Sequence, residues 1–145
     1  MSTITEENKR LVRSFFEEGP SKGNLGAADD LLAPNFALHI PLPSRPGISG
    51  MNEVITACRA AFEHLDVTVE DMVAEGDMVT ARFTARGIHK GVFMGLPPTG
   101  KSITMTGIEI FRIADGKIAE LWGEANLMGI MSQLGILPPL GERSG

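Results

Sequence analysis

Apolar positions recur at helical spacing near the start of the chain, where Ile4, Asn8, Leu11, Val12, Phe15 and Phe16 fall on one stripe. Thr3, with Glu6 three residues on, forms a possible capping box that opens the helix, and Gly19-Pro20 is expected to stop it. A short helix over 25–32, a brief strand over 35–40 and a Pro- and Gly-rich loop over 41–50 follow. Ser49 is placed to cap a third helix, whose buried stripe reads Met51, Val54, Ile55, Cys58, Ala61, Phe62 and Leu65. His64, at the end of that helix, suits a macrodipole contact.

Beyond this point the period changes to two. Val67, Val69, Met72 and Val73 suggest a strand, and Glu75-Gly76-Asp77 turns the chain. Over 78–88, Val79, Ala81, Phe83 and Ala85 alternate with Thr80, Arg82, Thr84 and Arg86. A loop over 91–100 with a Pro-Pro-Thr-Gly turn leads to strands over 103–113 and 117–125, joined by Ala114-Asp115-Gly116. A short helix over 127–134 ends the domain, assigned to residues 1–136, and 137–145 are expected to form a flexible tail. Helices first and antiparallel strands afterwards predict an α+β fold with the helices on one face of the sheet.

Strand 103–113 is apolar on both faces, with Met105, Phe111 and Ile113 on one and Ile108 and Ile110 on the other. An antiparallel sheet wetted on one side shows polar residues there. A homodimer covering the outer face is the expected arrangement; burial of the strand within the monomer is the alternative.

Composition narrows the function. The 145 residues carry a formal net charge of −5 and no basic run, which argues against nucleic acid or an anionic membrane as partner. A lone cysteine, Cys58, permits no intrachain disulfide or cysteine-based zinc cluster, and reads as core. Neither a signal peptide nor a membrane span is read from the sequence, so a cytoplasmic location is expected. No nucleotide-binding glycine pattern, HExxH helix or GxSxG elbow occurs, and no metal or cofactor is expected.

The informative position is Glu109, a carboxylate amid Met105, Gly107, Phe111 and Ile113 on one strand face. Buried there, it must find a partner, face water or shift its pKa upward, and a raised carboxyl pKa suits a general acid or base near neutrality. The alternative is neutralisation by Arg82 or Arg86 of a neighbouring strand. The tight link at 114–116 suggests that Ile113 pairs with Lys117, Glu109 with Leu121, and Gly107 with Gly123. Two glycines beside a carboxylate leave space for a ligand. His39, before the Pro-rich loop, is expected at the cavity rim as a second catalytic group, or else as an ordinary polar residue. Phe16, Met105, Phe111, Leu121, Asn126 and His89 join the glycines as candidate substrate-binding residues, Asn126 having helix capping as its alternative.

Four segments carry a resemblance: Gly87-Ile88-His89-Lys90-Gly91, Gly95-Leu96-Pro97-Pro98-Thr99-Gly100, Arg112-Ile113-Ala114-Asp115-Gly116-Lys117-Ile118 and Gln133-Leu134-Gly135. Together they resemble the SnoaL-like polyketide cyclases of the nuclear-transport-factor-like superfamily, over roughly residues 5–136. The resemblance implies a cone-shaped curved sheet with three N-terminal helices on its concave face, enclosing a pocket. It implies cofactor-free ring closure of a polyketide ester by intramolecular aldol chemistry on an apolar substrate. It also aligns the family's acid–base aspartate with Gly123 and its partner histidine with Glu109. Related scaffolds open epoxides, isomerise steroids, assist hydroxylation or only bind ligands, and a dimeric scaffold module is a further alternative.

Overall fold

The computed structural model describes residues 2–137; the expected tail beyond Leu137 lies outside them. Helix α1 (Ile4–Phe16) starts at Thr3, whose hydroxyl accepts the Glu6 amide at 3.2 Å. Gly19-Pro20 does not stop the chain there: a π-helical turn, Glu17–Ser21, carries it on. Helix α2 (Leu25–Asp29) is shorter than its apolar run, because Leu32 is already in strand β1 (Leu32–His39). Pro34, which has no amide hydrogen to donate, is tolerated there because β1 is an edge strand.

Helix α3 (Gly47–Ala61) begins two residues before Ser49, with Pro46 as its N-cap. It ends before Phe62, where strand β2 (Phe62–Glu75) begins opposite His89. Phe62 and Leu65 fit both a helical stripe and an extended run, and pairing with the neighbouring strand decides for the latter. His64 therefore belongs to a bulge of β2 at φ 56°, not to a helix end.

Strands β3 (Met78–His89), β4 (Ser102–Ala114) and β5 (Lys117–Ala125) complete a curved five-stranded sheet in the order β1-β5-β4-β3-β2. The sheet is antiparallel except at β1, which runs parallel to β5. Helix α4 (Leu127–Gln133) follows, and among the described residues no helix is long and apolar enough to cross a membrane.

The β4–β5 register differs from the expected one by two residues. Asp115 and Gly116 both have positive φ, 52° and 74°, giving a two-residue turn that pairs Ala114 with Lys117. A bulge adds one residue to β5, so Phe111 faces Leu121, Glu109 faces Gly123 and Gly107 faces Ala125. A shift of two keeps each side chain on its expected face.

Helices α1 and α3 lie on the concave face. Phe15 and Phe16 of α1 meet Phe111 of β4 at ring-centroid distances of 6.0 and 5.7 Å, and Phe16 meets Phe83 of β3 at 5.6 Å. All four are buried, each contributing about 2–3 kcal/mol from removal of its ring from water. A second apolar cluster, including Phe62, Phe93, Ile103 and Ile130, closes the other end of the sheet. Between the two clusters the concave face stays partly unfilled.

Candidate functional site

That gap is a cavity of about 120 Å³ between the helices and the sheet. Its walls come from α1 (Phe16), α3 (Met51, Cys58), β4 (Met105) and β5 (Leu121), with Phe93 of the 90–101 loop also against it. Among the lining residues only Glu109, Glu124 and Cys58 carry polar side-chain groups. Glu124 alternates away from Gly123 and is exposed on the outer face, which leaves its backbone at the cavity. Cys58 is a thiol pushed up to about 11 by burial, so it stays protonated near neutrality.

Glu109 is thus the single carboxyl aimed into an apolar space. Burial pushes its pKa up from 4.5 to about 8. Among the described residues no ion pair reaches it. The arginines weighed as partners are elsewhere: Arg82 donates through Nε to Asp71 at 2.7 Å on the convex face, and Arg86 is exposed on the same face. At neutral pH the group is a carboxylic acid, able to donate one proton and to take it back.

The structure brings Phe16, Met105, Leu121 and Gly123 together with Glu109 around the cavity. It does not bring the others. Gly107 offers no open space, since a Cβ there would collide with the Phe83 ring. Phe111 is fully buried in the core behind the cavity. Asn126 caps α4, its Oδ1 accepting the Gly129 amide at 2.9 Å.

His39 is the main correction. Alternation along β1 turns Ile40 to the cavity and His39 to the convex face, where its ring stacks on Trp122 at 5.5 Å. His39 Nε2 and Glu120 Oε2 are 2.7 Å apart, and Arg112 Nε donates to Glu120 Oε1 at 3.2 Å. The His39 hydrogen bond, with Arg112 beside it, holds the Glu120 carboxyl below its usual range.

His89 is fully buried at the end of β3, but outside the cavity wall. Its Nδ1 accepts the Thr99 amide at 3.3 Å and lies 3.1 Å from the Thr99 hydroxyl, so it ties down the 90–101 loop that carries Phe93. Phe93 packs on Phe62, ring centroids 5.0 Å apart. Sequence reasoning did not select Phe93 or Cys58 as lining residues. A large apolar Phe between Gly91 and Gly95 was the available signal for the first.

Residues 10–134 match the family model for SnoaL-like polyketide cyclase. An aklanonic acid methyl ester cyclase of Streptomyces peucetius is 28% identical, the match covering 93% of this chain and 92% of that protein. A second, from Streptomyces sp. strain C5, is 30% identical, with 93% and 83% covered. The structure of TsrD from Streptomyces laurentii superposes with a TM-score of 0.83 at 32% identity, covering 94% of this chain and all of that one.

Proposed function

The chain belongs to the SnoaL-like polyketide cyclase family, and from that premise we propose that it performs cofactor-free acid–base chemistry on an apolar, carbonyl-containing small molecule. The reaction is an aldol-type cyclisation or an isomerisation, with Glu109 moving the proton. One observation carries the reading: a lone carboxyl with a pKa raised to about 8 by burial stands in an otherwise apolar cavity. The walls hold the substrate in a reactive conformation and exclude water. A cavity of about 120 Å³ accommodates a ring-sized portion of a substrate.

The test is Glu109→Gln, which keeps the shape and removes the acid. Aklanonic acid methyl ester, named for the two curated relatives, is the first substrate to try. A fall in turnover of about 100-fold or more is expected for a lost general acid or base. Undiminished turnover would remove Glu109 from the mechanism.

A second reading is a non-catalytic binding protein. It is favoured by Gly123, which leaves the carboxyl of Glu109 without a second proton-transfer group opposite. Ligand-induced thermal stabilisation with no product in a mass spectrum would select it. Under either reading the convex face pairs two copies of the chain. Ile108, Ile110 and Trp122 are 51%, 38% and 36% exposed there, an apolar strip that a second copy covers. Sedimentation of Ile110→Glu tests this: the variant runs as a monomer where the parent runs as a dimer.

A further inference from the structure

The stripe of α1 that packs toward the sheet contains one buried polar side chain. Asn8 stands four residues after Ile4 and four before Val12, and only 6% of it is exposed. Among the described residues its amide makes no hydrogen bond to a side chain or to the backbone. An amide buried without a partner is costly, and a leucine would pack there without that cost. Asn8 lines an open groove of about 550 Å³ at the end of the sheet opposite the 90–101 loop. Two tight turns form its far wall, Gly76-Asp77 between β2 and β3 and Asp115-Gly116 between β4 and β5. The Ile113 amide donates to the Asp77 carbonyl at 2.8 Å and ties these turns together. A Cβ on Gly76 or Gly116 would meet nothing within 4 Å, so neither turn fills the groove.

Charge and shape narrow what the groove can hold. Glu7, Asp77 and Asp115 line it as three exposed carboxylates against one guanidinium, that of Arg10. Among the described residues none of these four takes part in an ion pair, so the groove has an excess of negative charge. Also among the described residues, no three His, Cys, Asp or Glu side chains are grouped closely enough to hold a metal ion. The spread of carboxylates suits a larger, organic cation instead. Leu11 and Ile113 add apolar surface for its body. No residue lines both this groove and the Glu109 cavity, and the fully buried Phe111 stands between Glu109 and Ile113 on one face of β4.

We propose that this groove is a second ligand site, which takes a primary ammonium carried on a short aliphatic body. The ammonium donates a hydrogen bond to the Asn8 amide oxygen and sits among the carboxylates of Glu7, Asp77 and Asp115. The aliphatic body lies on Leu11 and Ile113. A neutral alcohol of the same length lacks the attraction, and a carboxylate is repelled. The site is separate from the Glu109 cavity and independent of any chemistry there.

Hexylammonium chloride, 1-hexanol and sodium hexanoate are suitable probes at neutral pH and low ionic strength, with binding read by NMR titration of the backbone amides. Hexylammonium binds saturably, moves amides within 4–14, 76–77 and 113–116, and leaves those of 103–109 and 121–123 in place. 1-Hexanol binds roughly tenfold or more weakly, and hexanoate shows no saturable binding. Added salt weakens hexylammonium by screening the carboxylates. Asp77→Asn combined with Asp115→Asn removes two charges and keeps both turns, since asparagine tolerates the φ of 52° at residue 115. This variant loses roughly tenfold or more in hexylammonium affinity at an unchanged Tm. Asn8→Leu raises Tm, because the unpaired amide is gone, and weakens hexylammonium about fivefold or more. A lower Tm with unchanged affinity in Asn8→Leu would make Asn8 a structural residue and overturn the proposal. Shifts that never saturate or that spread over the whole acidic surface, equal affinity for 1-hexanol, or undiminished affinity in the double asparagine variant would overturn it as well.

Discussion

Glu109 and Gly123 stand directly opposite each other across the β4–β5 ladder, and a Cβ on residue 123 would lie 3.3 Å from Glu109 Cγ. Gly123→Ala therefore crowds the carboxyl without filling a core position. The strand regains about 0.5–1 kcal/mol by losing a glycine, which offsets much of the crowding. Stability in urea is expected to stay within ~1 kcal/mol of the parent. Turnover, in contrast, falls at least tenfold, because small displacements of a proton-transfer group are costly. Full activity in Gly123→Ala would show that the geometry beside Glu109 does not matter to the reaction.

Glu109 also couples stability to pH. Its pKa is raised from 4.5 to about 8, so between those values the folded chain holds a proton that the unfolded chain has released. The stability this proton contributes is fully present below pH 4.5 and is lost as pH rises through about 8. The slope is about 1.4 kcal/mol per pH unit at its steepest. Glu109→Gln has no such proton. Urea unfolding at pH 5, 6.5 and 8 should show the variant gaining on the parent as pH rises. Parallel curves for the two proteins would mean that the carboxyl is not desolvated.

Much of the fold follows from local pattern, and the errors occur where patterns overlap. The alternation of Val79, Ala81, Phe83 and Ala85 admits one reading, and β3 contains all four. Phe62 and Leu65 satisfy two periods at once, and only pairing with β3 decides between them. Glu109 stood out because a carboxylate on an apolar face demands a physical explanation, and the face assignment survived a register shift of two. His39 was misplaced for a related reason. Its own alternation was readable, but which face of an edge strand meets the cavity depends on β5, more than eighty residues away. Gly107 failed on packing: Phe83 fills its space from the neighbouring strand, a contact with no local signature.

The His89–Thr99 contact is expected to hold the cavity's cover. Thr99→Val removes the hydroxyl 3.1 Å from His89 Nδ1 but keeps the amide bond to the same atom. The same hydroxyl also accepts the Lys101 amide at 3.3 Å, so a loss of about 1–2 kcal/mol in global stability follows from two hydrogen bonds. The larger change is local. Backbone hydrogen exchange over residues 91–98 should accelerate more than that of β3 and β4, because the loop opens without the sheet. Uniform acceleration throughout the chain would place the effect in the fold as a whole instead.

His39 and Trp122 test whether the two faces of the sheet work independently. The chain has a single tryptophan, and His39 stacks on it, so Trp122 fluorescence reports on the convex face alone. His39→Ala uncovers the indole and removes one partner of Glu120, leaving Arg112 as the other. In the Ile110→Glu background, where no second copy covers Trp122, the emission maximum should move to longer wavelength as water reaches the ring. Turnover should stay within about threefold, since His39 reaches neither the cavity nor Glu109 and exposed polar contacts contribute little. If His39→Ala lost activity on the scale of Glu109→Gln, roughly 100-fold, His39 would need a path to the substrate that this arrangement of the sheet does not provide.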